Sequence, residues 1–425
     1  MDFNSISDTL PVWTPWVLTA AAFLAALWAT AWGLRPLRVT ASAPEPESDS
    51  DSDSDSSSDS QTSSDTPASS DELNPSDEPT SPAPFLSVIV YASGGDDLTD
   101  FLDSLEEQDM TDREIIVVND AGQEATAALA ERHAGRGNLY FTFMPVESRN
   151  VSRLKLAYTL GIKAARGEAV LLTTADCRIP SRQWLSQISA PVRESEFTDV
   201  ALGYCRFDCR GMGVRRWWCE YEDVMTACQW IGSALEGYPY RGDRHNLAFR
   251  RRLFFEHDGY SATNHLHTGD DDLFIASIAE AGNTKVVLSA GSILERECGA
   301  DSLRVWTDRK IRYRFTSKWL PRRAFRFAAC ARLMQWVALL GAVGGGVAAW
   351  CGWHSPWEGL AGVIILAGLW AADITAYRRA AARLGSVRLW WSVVPFMLWQ
   401  PLAGVLFNLN HRGDRIRNFT WQKLR

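Results

Sequence analysis

Leu86-Ser-Val-Ile-Val90 is the first of three short apolar segments that decide the fold of this 425-residue chain. Glu114-Ile-Ile-Val-Val118 and Ala169-Val-Leu-Leu-Thr173 are the other two. Their length and their β-branched residues are typical of strands that are buried on both faces. Apolar residues at helical spacing fill the neighbouring intervals, over residues 98–108, 125–133 and 153–165. This alternation predicts an open α/β sheet, which binds ligands beyond the carboxyl ends of its strands.

Polar turns follow all three predicted strands. Tyr91-Ala-Ser-Gly-Gly95 follows the first, Asn119-Asp120-Ala121-Gly122 the second, and Thr174-Ala-Asp176 the third. A nucleotide could bind at such an edge. Gly, Asn and Asp are also common in turns for conformational reasons alone, so a single turn is weak evidence.

Three adjacent carboxylates occur in Gly269-Asp270-Asp271-Asp272-Leu273. The triplet lies between two segments rich in cationic and hydrogen-bonding groups, 240–249 and 306–313, an order that suits an anionic substrate. Repulsion among the carboxylates should raise the pKa of one of them, which suits a general base. The structural alternative is a helix N-terminus, where acidic residues are favoured by the dipole.

In this order the motifs resemble those of family 2 glycosyltransferases, over roughly residues 84 to 320. The family has an Asp-x-Asp metal motif, an acidic base motif and a Gln-x-x-Arg-Trp segment, and membrane-bound bacterial members look most similar. The resemblance implies the α/β GT-A fold, a Rossmann-like mixed sheet, together with transmembrane helices. A nucleotide-sugar donor is implied as well.

The resemblance also implies roles for individual residues. Tyr91, Asp120 and Lys155 would bind the donor, although an ordinary surface lysine is an open alternative for Lys155. Asp176 would bind Mg²⁺ or Mn²⁺, which suit oxygen ligands. Thr174 departs from the family pattern because it stands where the first metal-motif Asp is expected.

The base aligns with Asp270, and a one-residue shift would give Asp271 instead. Gly269 replaces the glutamate of the family motif. Asp272 is expected on the acceptor side.

Arg309-Lys-Ile-Arg312-Tyr313 resembles the Gln-x-x-Arg-Trp segment, with Arg for Gln and Tyr for Trp. The resemblance implies that Arg309 and Arg312 pair with the donor diphosphate and that Tyr313 stacks on the acceptor. Pairing of these cations with membrane lipids is the alternative. Asn246 could also line the acceptor side, or it could cap local turns.

An uncharged apolar stretch covers residues 11–34 and is long enough to cross a bilayer. A cleaved signal peptide is the rival interpretation, but acidic rather than basic residues precede the stretch. Arg35 and Arg38 follow it, so the positive-inside rule predicts a cytoplasmic location for the next domain. The inner membrane of a bacterium is the expected location, with several spans.

Residues 40–84 contain twelve carboxylates and no Lys or Arg. The negative charge of this segment is therefore larger than the net charge of -8 of the whole chain. Such a Ser/Asp segment should be a disordered spacer, and a partner-binding role is the less favoured alternative. The remaining chain is mildly basic, which fits an anionic donor or anionic lipids but is too weak to predict binding to nucleic acid.

The predicted catalytic domain covers 85–321, and apolar segments return after it. Residues 328–353 and 357–375 are each long enough to span, and basic residues at the outer ends predict a hairpin. Residues 389–409 contain Pro395 and Pro401 and could cross, lie in the interface or re-enter. Two to three C-terminal membrane helices over 328–409 and a basic tail, 410–425, are therefore expected.

Eight cysteines without a CxxC pair predict reduced thiols in the cytosol. A zinc site of Cys205, Cys209 and Cys219 lacks a clear fourth ligand, so buried thiols are favoured.

The sequence thus predicts an inverting glycosyltransferase of the hexosyl-transfer type. A UDP-sugar is the preferred donor, and the acceptor is a lipid-linked or glycan molecule of the cell envelope. The alternative is a catalytically degenerate protein that binds nucleotide-sugar or scaffolds envelope glycan assembly. Nucleotidyl transfer is disfavoured because no Gly-rich, Lys-containing phosphate loop follows the first strand.

Overall fold

The computed structural model describes residues 85–93, 98–145, 152–296, 302–350 and 356–411, together with residue 24. The predicted membrane segment 11–34, apart from that single residue, and the acidic segment 40–84 lie outside the described residues. So does most of the basic tail, 410–425.

The described part of the chain forms ten strands. In chain order they are β1 (Leu86–Ser93), β2 (Arg113–Asp120), β3 (Leu139–Phe143), β4 (Ala169–Thr174), β5 (Cys177–Arg178), β6 (Val200–Leu202), β7 (Cys205–Phe207), β8 (Leu247–Arg250), β9 (Thr284–Val286) and β10 (Leu294–Arg296).

The described part also forms eleven α-helices. They are α1 (Thr99–Glu106), α2 (Gly122–Arg132), α3 (Arg153–Ala164), α4 (Trp184–Glu194), α5 (Arg216–Leu235), α6 (Arg251–Glu256), α7 (Leu273–Ile278), α8 (Ser302–Thr316), α9 (Arg322–Trp350), α10 (Pro356–Arg383) and α11 (Val393–Asn410).

Seven strands form the central sheet in the order β3-β2-β1-β4-β8-β6-β9, and β5, β10 and β7 form a small second sheet. β1 is parallel to β2 and β4, and β2 is parallel to β3. β8 runs antiparallel to both β4 and β6. The sheet is therefore mixed, and the predicted α/β class is confirmed.

The central strands are buried on both faces, as their continuous apolar sequence predicts. Ile89 of β1 packs on one side of the sheet with Tyr158 and Ile162 of α3. Val88 packs on the other side with Phe101 of α1. Burying side chains of this size contributes roughly 1.5–3 kcal/mol each relative to exposure, so the two layers hold the sheet in place.

Helix α3 lies close against β1 because of one glycine. A Cβ added to Gly161 would lie 2.4 Å from the Ile89 Cγ2 atom, which is too close for any real contact. The glycine thus brings the start of α3, with Arg153 and Lys155, close to the sheet edge that bears the predicted site.

Among the described residues, two C-terminal helical segments are long and apolar enough to cross a membrane, Leu360–Arg383 within α10 and Val393–Asn410, which is α11. The apolar part of α9, Leu333–Val347, is shorter. Pro395 and Pro401 both lie within α11, which continues through them. Length and apolar composition also occur in the core helices of soluble proteins, so these helices are weak evidence for a membrane location.

The C-terminal helices pack on the catalytic domain through aromatic side chains. Tyr221 of α5 stacks on Tyr377 of α10 at 5.5 Å between ring centroids. Trp218 meets Phe396 of α11 edge to face at 5.3 Å. Aromatic pairs of this geometry contribute about 0.5–1.5 kcal/mol beyond the buried area, so they help to fix α5 against the C-terminal helices.

Candidate active site

Several of the predicted site residues lie at one edge of the central sheet. The carboxyl ends of β1, β2 and β4 lie side by side, because Tyr91 pairs in register with Thr174, and Ser93 with Asp120. Strand β8 runs the other way, so the segment 241–246 that precedes it reaches the same edge.

The end of β2 carries a polar cluster. The Tyr91 hydroxyl donates a hydrogen bond to Asp120 at 2.9 Å, and the Arg153 Nε atom donates to the same carboxylate at 2.7 Å. Arg153 begins α3, so helix and strand are joined here by a charged pair. The cluster offers a carboxylate and an aromatic ring at the edge where α/β sheets bind nucleotides.

The acidic triplet lies in the loop that leads into α7. Gly269 adopts a φ of +102°, and a Cβ there would lie 2.6 Å from the Leu273 Cδ1 atom. A side chain at this position would be strained and obstructed. The backbone thus explains why glycine stands where the family motif has glutamate.

Asp270 is a buried carboxylate that accepts no hydrogen bond from the described residues at either oxygen. Arg244 contacts it at 3.0 Å. Burial raises the pKa of Asp270 to about 6, and repulsion from Asp271 adds to the shift while Arg244 opposes it. Asp270 is therefore ionised at neutral pH and still basic enough to accept a proton.

The next two carboxylates have different surroundings. Burial opposes ionisation of Asp271, but Arg244, Arg312 and Arg241 outweigh burial and lower its pKa. Asp272 caps α7 by accepting a hydrogen bond from the Leu273 amide, and the Thr316 hydroxyl donates to it as well. Asp272 therefore has a structural role in forming the helix start.

Three arginines approach one another beside the triplet. Burial lowers the pKa of Arg312 to about 10, and the positive charges of Arg244 and Arg296 add to that effect. The Arg312 Nε atom has no hydrogen-bond partner among the described residues. Cations held close together in a partly buried site are relieved by an anion, and a diphosphate has the charge and the acceptor oxygens for this.

Asp176, predicted as the metal ligand, lies just beyond β4. It accepts a hydrogen bond from Arg296 at 2.8 Å and another from the Thr174 hydroxyl. Burial disfavours its ionised form, but Arg296, His245 and the Thr174 hydrogen bond together lower the pKa of Asp176 to about 2. Thr174 thus orients the carboxylate that remains in the metal motif.

A carboxylate oxygen of Asp176, the thiol of Cys177 and an imidazole nitrogen of His245 lie within 4.8 Å of one another. Carboxylate, imidazole and thiolate are all ligands of divalent transition ions. The residues therefore fit a cation, although only one carboxylate is offered. Sequence reasoning found Asp176 alone, and the signal for His245 was its place in the polar segment 240–249.

Lys155 is buried in the structure and does not lie on the surface. Its ammonium donates to the backbone carbonyls of Thr263 at 2.7 Å and Leu266 at 3.1 Å. Burial lowers the pKa of Lys155 to about 8, and Asp270 opposes this shift. These contacts hold the chain segment that leads to the acidic triplet, so a positioning role fits Lys155 better than direct donor contact.

Two further predicted site residues are engaged in structural contacts. The Asn246 side chain accepts from Trp184 at 3.0 Å and donates to the carbonyls of Tyr204 and Ser292 at 3.1 and 2.7 Å. Arg309 donates to Asp223 of α5 at 2.6 Å. The turn-anchoring alternative therefore fits Asn246, and Arg309 links α8 to α5.

Tyr313 lies nearer the acidic triplet. The Arg241 guanidinium stacks over its ring at 3.9 Å, and Arg241 also lies 3.6 Å from the Asp272 carboxylate. The aromatic residue at the end of the Arg-x-x-Arg-Tyr segment is thus coupled to the triplet through a cation that sequence reasoning did not single out.

The mixed sheet, the polar strand ends and the acidic loop are the features that the motif resemblance to family 2 glycosyltransferases implies. Residues 87–263 match the family model for glycosyl transferase family 2. The chain therefore contains a family 2 glycosyltransferase domain, and the resemblance predicted from the motifs is confirmed.

Solved structures of similar fold include a mannosyltransferase from Pyrobaculum calidifontis in complex with GDP-Man and Mn²⁺. The match has 18% identity and a TM-score of 0.45, and it covers 87% of this chain and 97% of that chain. S. aureus TarS, residues 1–349 with UDP-GlcNAc, matches at 19% identity and a TM-score of 0.38, over 70% of this chain and 83% of that one. A comparison with curated protein sequences finds no match.

Proposed function

We propose that this protein transfers a sugar with inversion from a nucleotide-diphosphate sugar to a cell-envelope or lipid-linked acceptor at the cytoplasmic face of the bacterial inner membrane. The coarse activity, glycosyl transfer from a nucleotide sugar, follows from the family 2 domain. A UDP-sugar is the preferred donor, and a hexosyl unit is the preferred group.

Asp270 carries the proposal. It is 1% exposed, its oxygens accept no hydrogen bond from the described residues, and its pKa is raised to about 6. A base in this state removes the proton of an acceptor hydroxyl as that oxygen attacks the anomeric carbon. Direct attack opposite the leaving diphosphate inverts the configuration. Asp271, with its lowered pKa and its Arg244 contact, instead orients the arginine beside the base.

The donor occupies the strand edge in this proposal. Tyr91 and Asp120 contact its base and ribose, and Arg312 pairs with its diphosphate. Asp176 contributes to binding a divalent ion, Mg²⁺ or Mn²⁺, which when bound neutralises charge on the leaving diphosphate. Tyr313 faces the acceptor, held by Arg241 at 3.9 Å.

The domain boundaries belong to the same proposal. Residues 85–321 form the catalytic domain, and the helices within 328–409 hold it at the membrane, where lipid-linked acceptors occur. The aromatic contacts of α5 with α10 and α11 support this arrangement because they join the catalytic domain to the two most apolar helices. The segments 11–34, 40–84 and 410–425 would be anchor, spacer and cytoplasmic tail.

The test is incubation of the full-length, detergent-solubilised protein with a panel of radiolabelled nucleotide sugars and membrane extract from the source cells. Transfer of label into lipid or glycan from one donor, lost in Asp270→Asn, supports the proposal. Thr174 in place of a metal-motif carboxylate favours the degenerate, scaffold alternative. Binding of nucleotide sugar without transfer from any donor would establish that alternative.

A further inference from the structure

The metal motif of this chain is followed by a cysteine, and the structure makes that cysteine part of the candidate metal site. Cys177 is buried at the start of β5. Its sulfur lies within 4.8 Å of the ligand atoms that Asp176 and His245 offer. Neighbouring ligands of a tetrahedral zinc ion lie roughly 3.3–3.8 Å apart, so the three ligand atoms would approach one another by up to roughly 1.5 Å when the ion binds.

His245 is oriented in the way that metal-binding histidines commonly are. Its Nδ1 atom lies 2.5 Å from the Asp243 Oδ1 atom. The other oxygen of Asp243 accepts a hydrogen bond from the Cys205 backbone amide at 3.1 Å. A carboxylate on Nδ1 fixes the tautomer and the ring orientation and directs Nε2 to a metal.

The loss of a carboxylate at Thr174 favours a negatively charged sulfur ligand. A motif with two carboxylates offers a cation two negative charges, and Thr174 removes one of them. A Cys177 thiolate restores the second charge at the next position of the same turn. The thiol loses its proton to the buffer when the metal binds.

We propose that Asp176, Cys177 and His245 form a mixed oxygen, sulfur and nitrogen centre that binds a thiophilic divalent transition ion and discriminates against Mg²⁺. This inference rests on the proposed function in that the same ion would serve the donor diphosphate. Sulfur and imidazole ligands favour Zn²⁺, Co²⁺ and, more weakly, Mn²⁺, whereas Mg²⁺ prefers oxygen ligands alone.

Cys205 provides the matched control. Its sulfur is also buried and lies 3.9 Å from the Cys177 sulfur. It is outside the group of three whose ligand atoms lie within 4.8 Å of one another. The two cysteines thus share their surroundings and differ in their proposed role.

The experiment is a Co²⁺ titration of the full-length protein after treatment with a chelator, in the presence of a phosphine reductant. We expect the near-ultraviolet charge-transfer band of a thiolate bound to Co²⁺. Cys177→Ser should remove the band and weaken Co²⁺ binding by roughly 10- to 100-fold, and Cys205→Ser should keep both. Circular dichroism of each variant checks that the fold is retained.

Competition in the wild-type protein tests the preference of the centre for one metal ion over another, whereas the two variants assign the sulfur ligand. Zn²⁺ should remove the Co²⁺ band, and Mg²⁺ in about a hundredfold excess should not. The inference is overturned if Mg²⁺ displaces Co²⁺ equally well, if Co²⁺ binds without a charge-transfer band, or if Cys205→Ser alone removes the band.

Failure of this inference is distinguishable from failure of the proposed function, because Co²⁺ absorption does not depend on transfer. Metal-dependent sugar transfer without a thiolate band would overturn the sulfur ligand alone. A thiolate band without binding of any nucleotide sugar would leave the metal centre standing and overturn the transferase.

Discussion

Asp176 and Asp270 lie at the same edge of the central sheet, yet their surroundings shift their pKa values in opposite directions. The Asp176 side chain is 37% exposed and accepts hydrogen bonds from Arg296 and Thr174, and its pKa is lowered to about 2. Asp270 is 1% exposed and has the Arg244 guanidinium at 3.0 Å, but burial outweighs this contact and raises the pKa of Asp270 to about 6.

The difference shows how one residue type serves two tasks. A carboxylate stabilised by donors stays ionised at any physiological pH and suits a cation. A carboxylate that is desolvated and has few hydrogen-bond donors is stabilised when it takes a proton, which suits a base. The balance between burial and hydrogen-bond partners, rather than the residue type, assigns each aspartate its task.

The largest expected effect is the loss of transfer in Asp270→Asn. The amide cannot take the proton of the acceptor hydroxyl, so the rate of transfer should fall by about 10²–10⁴-fold. The rate is measured as labelled product per unit time. Binding of the nucleoside diphosphate should change little, because the substitution preserves shape. Thermal unfolding of the variant checks that the fold is retained, since Arg244 loses the Asp270 charge and keeps Asp271 as its partner.

Asp100→Asn is the control for this substitution, because Asp100 is an exposed residue of α1. It should leave transfer unchanged. Near-normal transfer by Asp270→Asn, with the fold retained, would remove Asp270 from the role of base.

The second effect concerns the two arginines of the Arg-x-x-Arg-Tyr segment. Arg312→Gln should weaken binding of the nucleoside diphosphate by about 10- to 100-fold, because charge-assisted hydrogen bonds are worth about 1.5–3 kcal/mol. Arg309→Gln breaks the contact with Asp223 and should lower thermal stability more than it lowers nucleotide affinity. Calorimetry of UDP and GDP binding, with thermal unfolding of each variant, measures both. Equal losses of affinity would show that Arg309 also contacts the donor.

The third effect is a dependence of transfer on pH. With the pKa of Asp270 at about 6, the base is protonated as the pH falls below 6, and transfer at pH 5 should be about tenfold lower than at pH 7. The same raised pKa means that ionisation of Asp270 costs stability, so its contribution to stability is present at low pH and is lost as the pH rises through 6. A transfer rate that is flat from pH 7 to pH 5 would contradict the assignment.

The smallest effect is expected at Asp272, which caps α7. Asp272→Ala removes the hydrogen bond to the Leu273 amide and should lower the free energy of unfolding by about 1 kcal/mol. Chemical denaturation measures this loss. A change in transfer far beyond the loss of folded protein would instead place Asp272 in the reaction.

The α/β class and the three central strands were predictable because those strands are buried on both faces and have a continuous apolar sequence. β3 was not predicted, since its side chains are partly exposed and it lies at the edge of the sheet. The acidic triplet was singled out from the sequence because three adjacent charges are costly without a use. Gly269 was noted as a departure, and its positive φ together with the close Leu273 side chain explains it.

The sequence could not predict those parts of the site that depend on contacts between residues far apart in the chain. His245 approaches Asp176 because β8 is antiparallel to β4, and strand direction is not readable from a four-residue strand. Arg309 and Asn246 matched the motif order, but their partners lie on α5, α4 and the loops around residues 204 and 292. The motif resemblance predicted the region of the site, and packing determines which polar atoms remain available to a substrate.

The most direct test of the division between the two aspartates is calorimetric binding of nucleoside diphosphates to the wild type, Asp176→Ala and Asp270→Asn, each with and without Mn²⁺. We expect Mn²⁺ to strengthen binding in the wild type and in Asp270→Asn, and we expect Asp176→Ala to lose the Mn²⁺ effect. Loss of the Mn²⁺ effect in Asp270→Asn, with Asp176→Ala unaffected, would contradict the account.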